Sequence, residues 1–134
     1  MLVRQWMTPN PITVKPEEDV KSAYSLLRQR GFRQFPVVKD GNVMGMVTDR
    51  DLRDAPGRLK TVDEVMSYDP VTVSADTELE EAARIIHNRK ISALLVTSQK
   101  NELVGILTVN DILDGLLYLL ESHKGQMEEK ISGF

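Results

Sequence analysis

The chain carries one run of residues twice. Met7-Thr8-Pro9-Asn10-Pro11-Ile12-Thr13-Val14 returns 59 residues later as Met66-Ser67-Tyr68-Asp69-Pro70-Val71-Thr72-Val73. Gly45-Met46-Val47-Thr48-Asp49-Arg50-Asp51 returns 60 residues later as Gly105-Ile106-Leu107-Thr108-Val109-Asn110-Asp111, so one residue is added in the turn near Gly41 or Asn101. Two copies of one unit predict a pseudo-two-fold domain with two equivalent clefts at the seam. One unit of about 60 residues would bury only a marginal core, whereas 134 residues suit a single domain that both share. The boundaries read as 1–60 for the first repeat with its linker (Arg53 to Lys60), 61–124 for the second, and 125–134 for a tail that is polar apart from Met127, Ile131 and Phe134.

Each repeat has the same order of signals. A short apolar lead segment (Val3 to Met7; Val62 to Met66) precedes a brief strand at Ile12-Thr13-Val14 or Val71-Thr72-Val73. An amphipathic helix follows. In the first repeat Pro16 suits its opening turn, Glu17, Glu18 and Asp19 complement its dipole, and Val20, Ala23, Tyr24 and Leu27 share a face. In the second, Ser74 or Asp76 can cap it, and Leu79, Ala82, Ala83 and Ile86 repeat that face. Two strands come next, joined through Asp40-Gly41 in the first repeat, a strong hairpin signal. Pro36 has no N–H to give, which predicts an edge strand or a strand start. A last helix begins after Thr48, where Pro56-Gly57 cuts it short, and after Thr108, where it runs through Leu120 towards His123. Its Ile112, Leu113, Leu116, Leu117, Leu119 and Leu120 form a wider apolar arc than one core-facing stripe needs, which predicts a subunit interface on part of it. The fold class is α/β (α+β), as two βαββα repeats.

Composition narrows the function. There is no cysteine, so no disulfide framework or thiolate chemistry. No apolar stretch is long enough to span a bilayer and no signal segment opens the chain, which predicts a cytoplasmic protein. His87 and His123 have no metal-ligand partner at helical or loop spacing, and no Ser-His-Asp order, paired-carboxylate cleft or phosphate-binding glycine loop is visible, so no catalysis or metal is expected. The net charge of −3 divides unevenly: residues 1–60 hold eleven Lys/Arg and seven Asp/Glu, and residues 61–134 hold six and thirteen. That suits the first repeat to an anion, and it suits a dimer that lays one copy's first half on the other copy's second half. Without a basic run or clustered aromatics, nucleic acid is an unpromising partner. Trp6 and Met7 read as an interface anchor or as a lid over apolar surface.

The chemically informative pattern is Gly-apolar-x-Thr-x-x-Asp at a strand-to-helix junction, present in both repeats. Gly45 and Gly105 would let the backbone come close to a flat ligand. The hydroxyls of Thr48 and Thr108, with the free N–H groups of the helix start, can face a phosphate. Asp51 and Asp111 can accept hydrogen bonds from the two hydroxyls of a ribose. Thr-x-x-Asp is also a capping box, in which both side chains merely satisfy the helix start. The two readings are compatible.

These residues resemble tandem cystathionine-β-synthase-type (CBS) domains, the Bateman module, over roughly Val3 to Leu120. The marks are Met-Thr-x-x-Pro-Ile-Thr-Val, Phe-Pro-Val-Val and Gly-Met-Val-Thr-Asp-Arg-Asp-Leu in the first repeat, with Met-Ser-x-x-Pro-Val-Thr-Val and Gly-Ile-Leu-Thr-Val-Asn-Asp-Ile in the second. The opening run is similar to the CBS portion of AcuB-type acetoin-utilisation proteins. Those usually continue into an ACT-like domain, so the chain reads as a stand-alone relative or a trimmed piece. The resemblance implies regulatory binding of adenine ligands (AMP, ADP, ATP or S-adenosylmethionine) between the repeats, with no cofactor required, and disc-like pairing of two modules into a homodimer. It implies that Asp51 and Asp111 hold ribose and that Thr48 and Thr108 hold phosphate or the ribose edge. Thr13, Val14, Phe35 and Pro36 would line one adenine pocket, and Thr72, Val73, Ala93 and Leu94 the other. Arg33, Arg50 and Arg53 are the basic residues expected near phosphate. The second repeat has Ser92 and Asn110 in place of Arg33 and Arg50, which predicts unequal sites. The alternative is a ligand-free assembly module.

Overall fold

The computed structural model describes residues 1–55 and 61–132, with side chains described through Lys124. The linker break at Pro56-Gly57 lies outside the described residues. In chain order the elements are a 3-10 turn Val3–Gln5, β1 Thr8–Pro9, α1 Val20–Arg30, β2 Gln34–Lys39, β3 Asn42–Thr48 and α2 Asp49–Arg53. There follow a 3-10 turn Val62–Glu64, β4 Ser67–Tyr68, β5 Thr72–Val73, α3 Leu79–Arg89, β6 Ala93–Thr97, β7 Leu103–Thr108 and α4 Val109–Ser132.

The repeats are built through each other. β1 pairs antiparallel with β7 of the second repeat, Thr8 opposite Ile106, and β4 pairs with β3 of the first, Met46 opposite Ser67. The sheets therefore run β2-β3-β4, extended by a parallel bridge from Val14 to Val37, and β5-β6-β7-β1. The lead segments cross with them. Val3 N–H donates to the Thr77 carbonyl at 2.9 Å, and Val62 N–H donates to the equivalent Glu18 carbonyl at 2.8 Å. Val3 is fully buried among Val73, Leu79, Ala82, Ile86, Leu94, Val96 and Leu107 of the second repeat. Val62 and Met66 complete the first repeat's core of Val14, Val20, Ala23, Leu27, Phe35, Val37, Val47 and Leu52. A buried valine contributes about 1.5–3 kcal/mol, so each repeat depends on the other for part of its core.

The exchange gives the motif glycines their reason. A Cβ on Gly45 would stand 2.5 Å from the Ser67 carbonyl oxygen and 2.9 Å from the Met66 sulfur. A Cβ on Gly105 would stand 2.5 Å from the Met7 sulfur and 3.1 Å from the Thr8 carbonyl. The open face of each glycine is filled by the incoming methionine segment, which corrects the expectation that Gly45 and Gly105 admit a ligand. The same contacts make Met7 a cover over the second repeat, and Trp6 packs with Tyr118 at 5.7 Å between ring centroids.

Other local expectations are corrected. α1 begins at Val20, not near Pro16: Asp19 caps it by accepting from Ser22 N–H at 3.3 Å. The Pro16 carbonyl instead accepts from Asp63 N–H at 2.9 Å, across the exchange. α3 begins at Leu79 after Glu78, which makes no side-chain cap, while Ser74 accepts from Asp76 N–H in the preceding turn. As Pro36 predicts, β2 is the end strand of the β2-β3-β4 sheet, with only the isolated bridge from Val14 beyond it. The second repeat shows what Pro36 gives up: Leu95 N–H donates to Val71 at 3.2 Å, a bond that the proline at the equivalent place cannot make. Asp40 and Gly41 both have positive φ, as the tight Asp-Gly hairpin requires. α4 continues to Ser132, through residues expected to form the tail, because Gln126 to Lys130 are good helix formers. Gly115 is buried on α4, where a Cβ would meet Leu79 at 2.5 Å.

Two variants test these packing statements. Gly45→Ala should lower the unfolding free energy by about 2–3 kcal/mol and Gly105→Ala by roughly half as much, because the first meets a backbone carbonyl and the second chiefly a flexible thioether. Urea midpoints in the opposite order would contradict the exchange packing. α1 ends on Gly31 at φ 68° and α3 on Lys90 at φ 55°. Lys90→Gly should therefore stabilise by roughly 0.5–1 kcal/mol, read as a higher urea midpoint at unchanged slope.

Candidate functional site

Strand alternation sorts the expected site residues onto two faces. Phe35 and Val37 point into the first core, paired across β3 with Val47 and Gly45. Gln34 and Pro36 therefore share the opposite face with Thr48 and Met46, their partners in register. In the second repeat Leu94 and Val96 face the core, while Ala93 and Leu95 share the opposite face with Thr108 and Ile106. Pro36 and Leu95 are both fully buried on a face their own helices do not cover.

That face is the seam. The two hairpins stand side by side, tied at their turns by Asn101 Nδ2–H donating to the Val43 carbonyl at 3.2 Å and by a bridge between Asn42 and Glu102. At the other end the Ser92 hydroxyl lies 3.5 Å from the Gln34 amide oxygen. This end carries both helix starts: Asp49 N–H donates to the Arg33 carbonyl at 2.8 Å, and Val109 N–H to the Ser92 carbonyl at 3.2 Å. Both Thr-x-x-Asp motifs thus meet at one end of the seam.

Each motif makes a cap. Asp51 Oδ2 accepts from Thr48 N–H at 2.9 Å, and Thr48 Oγ1 accepts from Asp51 N–H at 3.1 Å. In the second repeat Asp111 Oδ2 accepts from Thr108 N–H at 2.8 Å and from the Thr108 hydroxyl at 3.1 Å. The cap consumes one carboxylate oxygen. Oδ1 of Asp51 and of Asp111 has no hydrogen-bond partner among the described residues, and both side chains are half-buried. A carboxylate held by a cap with one oxygen free is a fixed acceptor for hydroxyl groups.

The remaining expected residues divide. Thr13 and Thr72 are exposed at the strand edges, Thr72 in register with Leu95. The side chains of Val14, Phe35, Val73 and Leu94 face the cores, which corrects their expected place in an adenine pocket: they can offer a ligand only main-chain groups. Ala93 and Pro36 do face the seam. Arg33 and Arg50 are exposed at the start of α2. Arg53 is instead tied to Asp54 at 3.1 Å and Asp49 at 3.4 Å, which raises its pKa. Met46, Leu95 and Ile106 complete the seam. Met46 and Ile106 were missed as site residues, although counting two back along the strand from Thr48 and Thr108 finds them. Among the described residues no three His, Cys, Asp or Glu side chains gather as metal ligands, and no helix is long and apolar enough to cross a membrane.

Comparison with known proteins accords with this geometry. The CBS domain profile matches residues 3–58 and again 62–118. A CBS domain-containing protein of Dictyostelium discoideum is 32% identical over 137 residues, which covers 90% of this chain and 94% of that one. Inosine-5'-monophosphate dehydrogenase of Korarchaeum cryptofilum is 36% identical over 112 residues, 84% of this chain, but the chain spans only 22% of that enzyme's length. Among solved structures, a putative acetoin utilization protein (AcuB) from Vibrio cholerae aligns with TM-score 0.83 at 29% identity, covering 93% of this chain and 96% of that one. CBSX2 in complex with AMP aligns at 0.81 with 31% identity, covering 88% and 97%. The CBS domain pair of protein MJ0100, in complex with 5'-methylthioadenosine and S-adenosyl-L-methionine, aligns at 0.79 with 25% identity, covering 87% and 99%. The chain belongs to the CBS-domain family, as a tandem pair folded into one α+β module.

Proposed function

We propose that this chain is a non-catalytic cytoplasmic sensor that binds adenine nucleotides at the seam and signals through the geometry of a homodimer. The observation that carries the reading is the duplicated Thr-x-x-Asp cap with one free carboxylate oxygen, placed at the seam in both repeats. Ribose hydroxyls would donate to Asp51 or Asp111, with Thr48 or Thr108 and the helix start beside the phosphate. The adenine would lie at the open edge of the seam, beside Met46 in the first repeat or beside Ala93 and Ile106 in the second, with Thr13 or Thr72 at its edge, since Pro36 and Leu95 are fully buried behind them. Support comes from the AMP bound by CBSX2 and the adenosyl ligands bound by MJ0100. Signalling requires that the ligand bind one dimer arrangement more tightly than another.

The two sites are unequal on this reading. Arg33 and Arg50 flank the first motif, where the second has Ser92 and Asn110. The first site thus suits the more highly charged ligand, ATP or ADP, and the second a ligand that carries less negative charge, such as AMP or S-adenosylmethionine.

Asp51→Ala should weaken AMP or ATP binding at the first site at least about tenfold in calorimetry while the far-ultraviolet dichroism stays that of the parent. Undiminished affinity removes the ribose role, and a parent chain that binds none of these ligands leaves the assembly module as the function. Arg50→Ala should cost ATP affinity several-fold more than AMP affinity, and the difference should shrink as salt rises. Equal losses for both ligands would contradict the assignment of the charged ligand to the first site.

A further inference from the structure

The outer helix faces of the two repeats carry side chains of different size at equivalent positions. Between α3 and α4 lies a groove of about 480 Å³ with Ala83, Ile86, Ile91, Val109 and Ile112 along it and His87 and Lys90 beside them. At the equivalent positions of the first repeat, 59 residues earlier, Tyr24 stands for Ala83 and Phe32 for Ile91. These larger side chains, Tyr24 half-buried against the first core and Phe32 exposed, stand where the second repeat is hollow. Phe32 is 41% exposed and sits edge-on to Phe35 at 5.9 Å. The Arg28 guanidinium lies 5.9 Å over the Tyr24 ring, at the place of His87.

Charge divides the same way. α1 and α2 hold Lys21, Arg28, Arg30, Arg50 and Arg53 against Asp49 and Asp51. α3 with its cap Lys90 and the described side chains of α4 hold Arg84, Arg89, Lys90 and Lys124 against Glu80, Glu81, Asp111, Asp114 and Glu121. α1 carries no carboxylate at all, whereas on α3 Arg84 is already taken by Glu80 at 2.6 Å.

We infer that the groove of the second repeat is filled by the Tyr24–Phe32 face of a second copy, so that the dimer pairs unlike repeats, first on second and second on first. This rests on the homodimer proposed above and adds its orientation and contact. Like-on-like pairing would set Tyr24 and Phe32 against their own copies, with Arg28, Arg30 and Lys21 likewise facing theirs, and would leave groove against groove as a void. Unlike pairing sets the larger side chains at the groove and brings the cationic α1 to the more acidic α3–α4 face. It also gives each contact one long α4, whose Leu113, Leu116, Leu117 and Leu120 are about half exposed, and one short α2.

The absence of native cysteine makes the test clean. Arg28→Cys and His87→Cys are prepared singly in the full chain, both at exposed positions. Each is treated with a short bismaleimide alone and in equimolar mixture, with sedimentation reporting the association state. Unlike pairing predicts covalent dimers only in the mixture, in up to roughly half of the dimers, the statistical share of mixed pairs. Covalent dimers from either variant alone overturn the orientation, and dimers by sedimentation with no cross-link in any sample overturn the contact. A monomer at all concentrations overturns the homodimer itself. Ala83→Trp, which fills the groove, should raise the dimer dissociation constant at least tenfold with unchanged dichroism, and an unchanged constant would show that nothing enters the groove.

Discussion

Thr8–Pro9 runs along β7 of the second repeat and Ser67–Tyr68 along β3 of the first, and the valine and methionine ahead of each strand go into the core it covers. Every other feature of the module follows from that exchange. It lets two units that would each be marginal alone complete each other's cores. It demands glycine at 45 and 105, because the incoming methionine leaves no room for a Cβ. It also fixes the hairpins against each other, which brings two separately encoded helix starts to one end of a shared seam.

The site emerges from ordinary helix-start chemistry. A threonine and an aspartate satisfy the first amide groups of α2 and α4, and the same bonds lock the carboxylates in place. Only one oxygen of each is used, so capping and ligand binding do not compete. On the proposed reading the residues that stabilise the fold also hold the ribose, and the residues that discriminate ligands are the flanking ones, Arg33 and Arg50 against Ser92 and Asn110.

Much of this was legible from the residues because it is local or repeated. The duplication predicts the pseudo-symmetry and an added residue in one of the two hairpin turns; the Asp40-Gly41 hairpin and the buried faces of α1 and α3 follow from turn chemistry and spacing. What escaped was long-range. Nothing near Gly45 in sequence says that Met66 will lie on it. Pro16 satisfies the local rule for a first helical turn, yet its carbonyl is engaged by Asp63 of the other repeat and the helix waits for Asp19. The parity of Phe35 and Leu94, core or seam, depends on which face the exchange leaves for the second hairpin. α4 outruns its apolar pattern, which stops at Leu120, because good helix formers beyond that point keep the backbone helical to Ser132.

A crystal structure with AMP at saturating concentration puts the central claim to the most direct test. Adenosine should lie in the seam, its ribose hydroxyls on the free oxygen of Asp51 or Asp111 and the capping bonds to Thr48 and Thr108 intact. AMP bound elsewhere on the surface with the seam empty, or AMP in the seam with the ribose turned away from both carboxylates, would contradict the account.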